Sequence, residues 1–223
     1  MAQYIETFPT IAAALASGGQ DHPWTDVWRQ RWGVTSSGVA SPFGSDRSTG
    51  DYSRLEAPTD TNNMRVSANV RFIGAPQHTT NVVAVCARMP TGSTAGGYMA
   101  VLSGLGQLQI ARIDGNSATF TTLVQASDTV DVASPGVLAL TVNGSMLSAT
   151  WNGVLAAQVT DASVPSGTLA GLYGYERSAT VYVEVTQFSV EDTDVNPEPQ
   201  PSAGRVFVID ENSVPQPAII TRA

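Results

Sequence analysis

The chain has no lysine. Its 11 cationic side chains are all Arg, only 13% of its 223 residues are charged, and it carries two His and a single Cys. Each scarcity excludes something. One cysteine cannot form an intrachain disulfide, and Cys86 stands in the apolar run Val82–Ala87, where a thiol acts as a small core residue rather than a nucleophile. His22 and His78 lie in polar, proline-containing stretches and are too few for a histidine-rich metal site. No apolar stretch approaches the ~20 residues of a membrane-spanning helix, so no membrane insertion is expected. A net charge of −8 argues against nucleic acid, which needs a clustered positive surface. The absence of Lys fits a GC-rich coding sequence, while the flat, multi-donor head of Arg also suits interfaces and contacts with sugars or carboxylates. Met1–Glu6 lacks the basic segment and apolar run of a secretory leader, so the protein is expected to be made and used from the cytoplasm.

Catalytic patterns are scarce as well. There is no Gly-x-Ser-x-Gly elbow, no Walker loop and no Gly-x-Gly-x-x-Gly leading from strand to helix. Two acid pairs stand out, Asp128 with Asp131 and Asp192 with Asp194, and both read as solvated turn or linker carboxylates. No catalytic residue, metal or cofactor is expected.

What is present points to strands. Apolar residues make up 42%, with 20 Gly and 13 Pro to serve many turns. Tyr4–Phe8 reads as a first strand and Pro9–Gly18 as a brief helix, with Pro in its first turn and Gly at its end. Trp24, Trp28 and Trp32 recur every four residues, either as core packing or as a sugar-stacking platform. Residues 41–63 read as a long polar excursion. Then the period becomes two: Val66, Ala68, Val70 and Phe72 alternate with Arg65, Ser67, Asn69 and Arg71, a half-exposed strand with a polar face. Further strands are expected near Val82–Arg88, Tyr98–Leu102, Leu108–Ile113 and Thr119–Val124, with Asp114-Gly115 turning between the last two.

Two Asn-Gly pairs punctuate residues 137–159. A two-residue type I′ loop at Asn143-Gly144 sets Leu147 opposite Leu140 and Ala149 opposite Leu138, which keeps apolar residues on one face. A longer second loop, Asn152-Gly153-Val154, pairs Trp151 with Leu155, Ala149 with Ala157 and Leu147 with Val159, and makes Trp151 a core residue. Leu169–Tyr175 and Thr180–Val190 follow as strands. Strands recurring at roughly 10-residue spacing indicate a β-sandwich or barrel.

The composition breaks at Glu191. Residues 1–192 are read as the sandwich, 193–204 as an acidic, proline-rich linker, and 205–223 as a β-prone docking segment. From Glu191 onward six acids against two Arg leave −4, half of the chain's net charge. In the final segment Val206, Phe207, Val208, Ile209, Ile219 and Ile220 are too few to offset the entropy of ordering it alone. Either it docks on another subunit by strand addition or it packs back on its own sandwich. For ligand binding, the one cluster of rings with an Arg beside a flexible Gly is Tyr173, Tyr175 and Arg177, with Arg112 expected on the same face.

The order of elements resembles the concanavalin A-like (laminin G-type) jelly roll, an all-β sandwich of two antiparallel sheets, as carried by minor tail proteins of phages infecting actinobacteria. The likeness runs through Tyr4–Phe8, Trp32-Gly33-Val34, Gly38-Val39-Ala40, Gly97–Leu102, Thr150–Gly153, Val159-Thr160-Asp161, Ala170–Gly174 and Phe188–Asp192. It implies a structural virion protein, made in the host cytoplasm, whose partners are other virion proteins, further copies of itself and host cell-surface carbohydrate. The alternatives are a free bacterial carbohydrate-binding or glycan-hydrolysing module, or a capsid decoration protein. Hydrolases of this fold carry closely spaced carboxylates on one strand; the equivalent strands here, Leu138–Val142 and Leu147–Trp151, have none. Some members hold Ca²⁺ beside their first and last strands, where this chain offers only Glu6 and Asp192, too little for a hard cation.

Overall fold

The structure, a computed structural model, describes residues 61–74, 81–91, 96–114, 119–176 and 182–194, and seven strands outside them by backbone alone. In chain order the strands are β1 (Gln3–Glu6), β2 (Thr25–Asp26), β3 (Trp32–Val34), β4 (Ala40–Pro42), β5 (Asp51–Pro58), β6 (Met64–Ile73), β7 (Val82–Met89), β8 (Tyr98–Ser103) and β9 (Leu108–Ile113). They continue with β10 (Phe120–Gln125), β11 (Gly136–Asn143), β12 (Met146–Trp151), β13 (Val154–Thr160), β14 (Leu169–Glu176), β15 (Tyr182–Asp192), β16 (Phe207–Val208) and β17 (Gln216–Pro217). The first sheet runs β13-β12-β11-β6-β15-β4-β3, with β1 also pairing β15; the second runs β10-β9-β8-β7-β14-β5-β2. All pairings are antiparallel, and β16 pairs with β17. The expected fold class, an all-β sandwich of two antiparallel sheets, is the observed one.

The main core fills the space between the sheets. β6 contributes Met64, Val66, Ala68, Val70 and Phe72; β11 contributes Leu138, Leu140 and Val142; β12 contributes Leu147, Ala149 and Trp151. They meet Val83, Val85 and Ala87 of β7, Tyr98, Ala100 and Leu102 of β8, and Leu108 and Ile110 of β9. In β15 a bulge between Val185 and Gln187 shifts the alternation by one, so that Val183, Val185, Phe188 and Val190 all reach this core. The opposite face of β6 is polar, as its alternation implies. Arg65, Ser67, Asn69 and Arg71 pair across to Glu191, Ser189, Gln187 and Glu184.

The second sheet differs, because both of its faces are apolar. Ala84, Cys86, Met89, Met99, Val101, Ala111, Ile113 and Tyr173 form a second buried cluster. Cys86 is fully buried there, as expected of a small core residue.

Three expectations need correction. Residues 51–58, read as part of an excursion, form β5, which pairs along its whole length with β14. Their polar, proline-terminated sequence conceals a strand specified by its partner. The first Asn-Gly hairpin pairs Asn143 with Met146, so its two loop residues are Gly144 and Ser145, and Leu140 faces Ala149 rather than Leu147. Only Gly144 has a positive φ (57°), the signature of a type II′ turn rather than type I′. The second hairpin pairs Trp151 with Val154 across Asn152 (φ 52°) and Gly153 (φ 79°), a two-residue type I′ turn. The extra residue expected in that loop is instead a bulge in the strand, where Thr150 faces Leu155 and Ala149 still faces Ala157. Helix 9–18, Trp24, Trp28, the side chain of Trp32, His22, His78 and Gly115 lie outside the described residues.

Candidate functional site

The sandwich has two polar ends, and they differ in kind. At one end a groove of about 500 Å³ opens between the two edge strands, β10 and β13. One wall is the connection from β10 to β11: Ala126, Ser127, Asp128, Thr129, Val130, Asp131 and Ser134. The other is the β12–β13 turn region: Trp151, Asn152, Val154, Leu155 and Ala156.

Local chemistry holds both walls. The Ala126 N–H donates to Leu108 O at 2.9 Å, and the Val130 N–H to Gly106 O at 2.9 Å. Gly106 has a φ of 78°, and a Cβ there would collide with the Val130 carbonyl, so only glycine lets the connection lie this close. Asp131 Oδ1 caps the Ala133 N–H at 2.9 Å. Across the groove the Trp151 indole N–H donates to Asp131 O at 2.9 Å, which locks the two walls together. Asn152 Oδ1 accepts the Val137 N–H at 2.8 Å and the Asn152 N–H donates to Val137 O, tying the turn to β11. The groove is therefore preformed, as small-ligand sites usually are.

Its surface combines three chemistries. Val154 is 71% exposed and Leu155 56%, which is unusual for large aliphatic residues beside a polar turn. Trp151 is 6% exposed and serves both the core and the groove lining. Asp128, Asp131 and Asn152 supply charge and amide groups, and Ser127, Thr129 and Ser134 supply hydroxyls. Among the described residues Asp128 Oδ1, Asp131 Oδ2 and Asn152 Nδ2 have no protein partner, which leaves them available to a ligand.

At the other end polar groups bond chiefly to one another. The guanidinium of Arg88, 3% exposed, donates to Asn62 O, Asn63 Oδ1, Gly144 O and Val164 O. Burial pulls the Arg88 guanidinium below its ordinary pKa, opposed by the charges of Tyr98 and Asp194. The Tyr98 hydroxyl donates to Asp161 Oδ1 at 2.7 Å and accepts the Val164 N–H. Burial first, and the Asp161 hydrogen bond second, push this phenol up to about 12. Burial pushes the Asp161 carboxyl up, but hydrogen bonds from Tyr98 and from Ser163, with the Arg112 charge, bring it below its ordinary value. Arg112 lies between Asp114 and Asp161, with N–O distances of 2.8 and 3.7 Å. Among the described residues this end is a network of polar groups fastened to one another.

The residues selected from sequence separate in space. Arg112 pairs with Tyr98 and shares its inward face, whereas Tyr173 and Tyr175 lie on the outer apolar face of the same sheet. The expectation that Arg112 joins the tyrosines fails on strand parity: from Tyr173 the register passes through Ala84 and Val101 to Gln109, an odd number of positions from Arg112. Tyr173 is nearly fully buried and Tyr175 partly so; Arg177 lies outside the described residues. Glu6 stands opposite Phe188, four residues along β15 from Asp192, which separates their backbones by roughly 13 Å. Of Val206, Phe207, Val208, Ile209, Ile219 and Ile220, only Phe207 and Val208 fall in a described strand, opposite Pro217 and Gln216. Sequence reading noted Asp128 and Asp131 but set them aside as solvated, and it missed Asn152, Val154 and Leu155. The available signal was two large aliphatic residues next to Asn152-Gly153, at a tip where polar residues are the rule.

No family model and no curated protein matches this sequence. Solved structures do match in fold. The carbohydrate binding module CBM66 from Bacillus subtilis superposes with a TM-score of 0.55 at 14% identity, over 74% of this chain and 94% of that one. The exoplasmic/lumenal domain of VIP36, in its Ca²⁺/Man3GlcNAc-bound form, gives 0.56 at 12% identity over 79% and 86%. A legume lectin-like domain from Entamoeba histolytica gives 0.50 at 11% over 76% and 89%. The architecture is the lectin-like, concanavalin A-like jelly roll.

Proposed function

We propose that this chain is a carbohydrate-binding module that holds a glycan in the β10–β13 groove without cleaving it. One observation carries the reading: a preformed groove where aliphatic surface, an indole, two carboxylates, an amide and three hydroxyls converge. Sugars present apolar C–H faces ringed by hydroxyls, and such a lining answers both. The fold likeness supports it, since the matched structures include a carbohydrate binding module and a glycan-bound lumenal domain. The test is glycan-array and calorimetric binding by the full chain, with chromatography of each bound oligosaccharide. We expect binding, intact oligosaccharide, and a loss of about tenfold or more in the Asp128→Ala/Leu155→Ser variant. Release of shortened sugars would make the module an enzyme. Loss of binding in Tyr175→Ala/Arg177→Ala, with the groove variant unaffected, would move the site to the tyrosine cluster.

A second reading concerns where the module works. We propose that it is displayed on a phage particle as a minor tail component, anchored through residues 205–223 to other virion proteins or to copies of itself. Its support is the resemblance in sequence, together with a β16–β17 pairing that joins neither main sheet among the described residues. Detection of the chain in purified particles, and its loss on deletion of 205–223, would test this.

A further inference from the structure

Among the groove's lining residues there is no Arg, and the chain has no Lys to add. The four Arg side chains whose partners are described, Arg65, Arg71, Arg88 and Arg112, are engaged elsewhere with Glu191, Glu184, backbone carbonyls and Asp114. Two exposed carboxylates thus face the groove with no counter-charge in its walls, each with an oxygen that no protein donor occupies. They share the groove with the exposed apolar side chains of Val154 and Leu155.

We propose that the groove selects glycans bearing free amino groups, de-N-acetylated hexosamines, and rejects glycans bearing carboxylate, sulfate or phosphate. This rests on the glycan-binding reading above and specifies its ligand. A hexosamine places one ammonium on a ring whose C–H face is apolar. The ring lies on Val154, the register partner of Trp151, and the ammonium donates to Asp128 Oδ1 or Asp131 Oδ2. The Asn152 amide then serves a neighbouring hydroxyl. An N-acetyl group at the same position removes the charge and leaves one neutral N–H in place of three charged donors, so the pair of carboxylates discriminates one form from the other. An anionic sugar meets two like charges with nothing to neutralise them.

The experiment compares three probes on the full chain at pH 6 by calorimetry: a chitosan hexamer, the N-acetylated chitin hexamer of equal length, and a polygalacturonate oligomer. We expect the chitosan hexamer to bind about five- to tenfold more tightly than the N-acetylated one at low salt. We expect the gap to close at 0.5 M salt and no binding of polygalacturonate. Asp128→Asn/Asp131→Asn is isosteric and keeps Oδ1 of residue 131 for the Ala133 N–H. It should bind both hexamers equally. Equal or tighter binding of the N-acetylated hexamer by the unaltered protein, or measurable binding of polygalacturonate, overturns the selectivity while leaving a glycan-binding module. Failure to bind any sugar of the broader array overturns both readings.

Discussion

Gly136 has no room for a methyl group. A Cβ built there runs into the six-membered ring of Trp151, so the indole's seat against β11 depends on a residue without a side chain. Gly136→Ala should destabilise the fold by about 1–3 kcal/mol in urea unfolding and weaken the proposed glycan binding too, because the Trp151–Asp131 bond ties the two groove walls. A variant with wild-type stability would show that the ring can move without cost. Trp151 was legible in the sequence as a core residue from hydrophobic register alone. Arg88 was not: it sits at the end of an apolar strand with a φ of 52°, and its partners are carbonyl and amide oxygens contributed by distant loops. Such a hub leaves no local pattern. Arg88→Met strips four acceptors of one donor group and should cost about 3 kcal/mol in the same measurement. Tyr98 makes a pH prediction. Its phenol titrates near 12 in the fold against about 10 unfolded, so the folded state holds the proton more tightly. That stabilisation is complete below pH ~10 and disappears as the pH rises through about 12. Melting temperatures across pH 9–12 should fall more steeply for the native protein than for Tyr98→Phe.

At the scale of elements, the two Asn-Gly hairpins show how far a hydrophobic pattern reaches. Faces were legible, because a slip of one residue would turn Leu147 and Ala149 away from the face of Leu140. A slip of two residues keeps every face, and the pattern could not separate Asn143-Gly144 from Gly144-Ser145 as the loop. Backbone conformation decides it: Gly144 takes the single left-handed position of a II′ turn, and its N–H is held by Asn63 Oδ1 at 2.9 Å. In the second hairpin a bulge absorbs the surplus residue, which leaves Val154 and Leu155 exposed beside the groove. The groove was illegible for that reason, since it depends on where a bulge falls. Gly153 has φ 79° and no atom near its absent Cβ, so Gly153→Ala tests backbone strain free of collision. It should cost about 1–2 kcal/mol and leave the register of β12 and β13 unchanged in amide chemical shifts. β5 was missed because its sequence lacks a periodic apolar pattern and backbone pairing with β14 specifies it.

For the whole molecule, the net charge of −8 bears on solubility and association, and the docking role proposed for residues 205–223 can be tested by deletion. Deleting 205–223 should leave the melting temperature within a few degrees of the full chain and abolish self-association or particle incorporation, checked by calorimetry and sedimentation. A large fall in melting temperature with assembly intact would place the segment in its own domain's core. The sheet order has a consequence for synthesis. β6 is flanked by β11 and β15, and β15 is also the sole described partner of β1 and the strand that joins β4 to the rest of the sheet. It is made last of these, roughly 120 residues after β6 leaves the ribosome. At about 5–20 residues per second, the edge of β6 that β15 covers stays open for about 6–24 s, and until β11 emerges both edges are open. During that interval β1 and β4 wait for the same strand. Nascent chains stalled anywhere between residues 75 and 180 should therefore engage chaperones or aggregate, and those released beyond residue 192 should not.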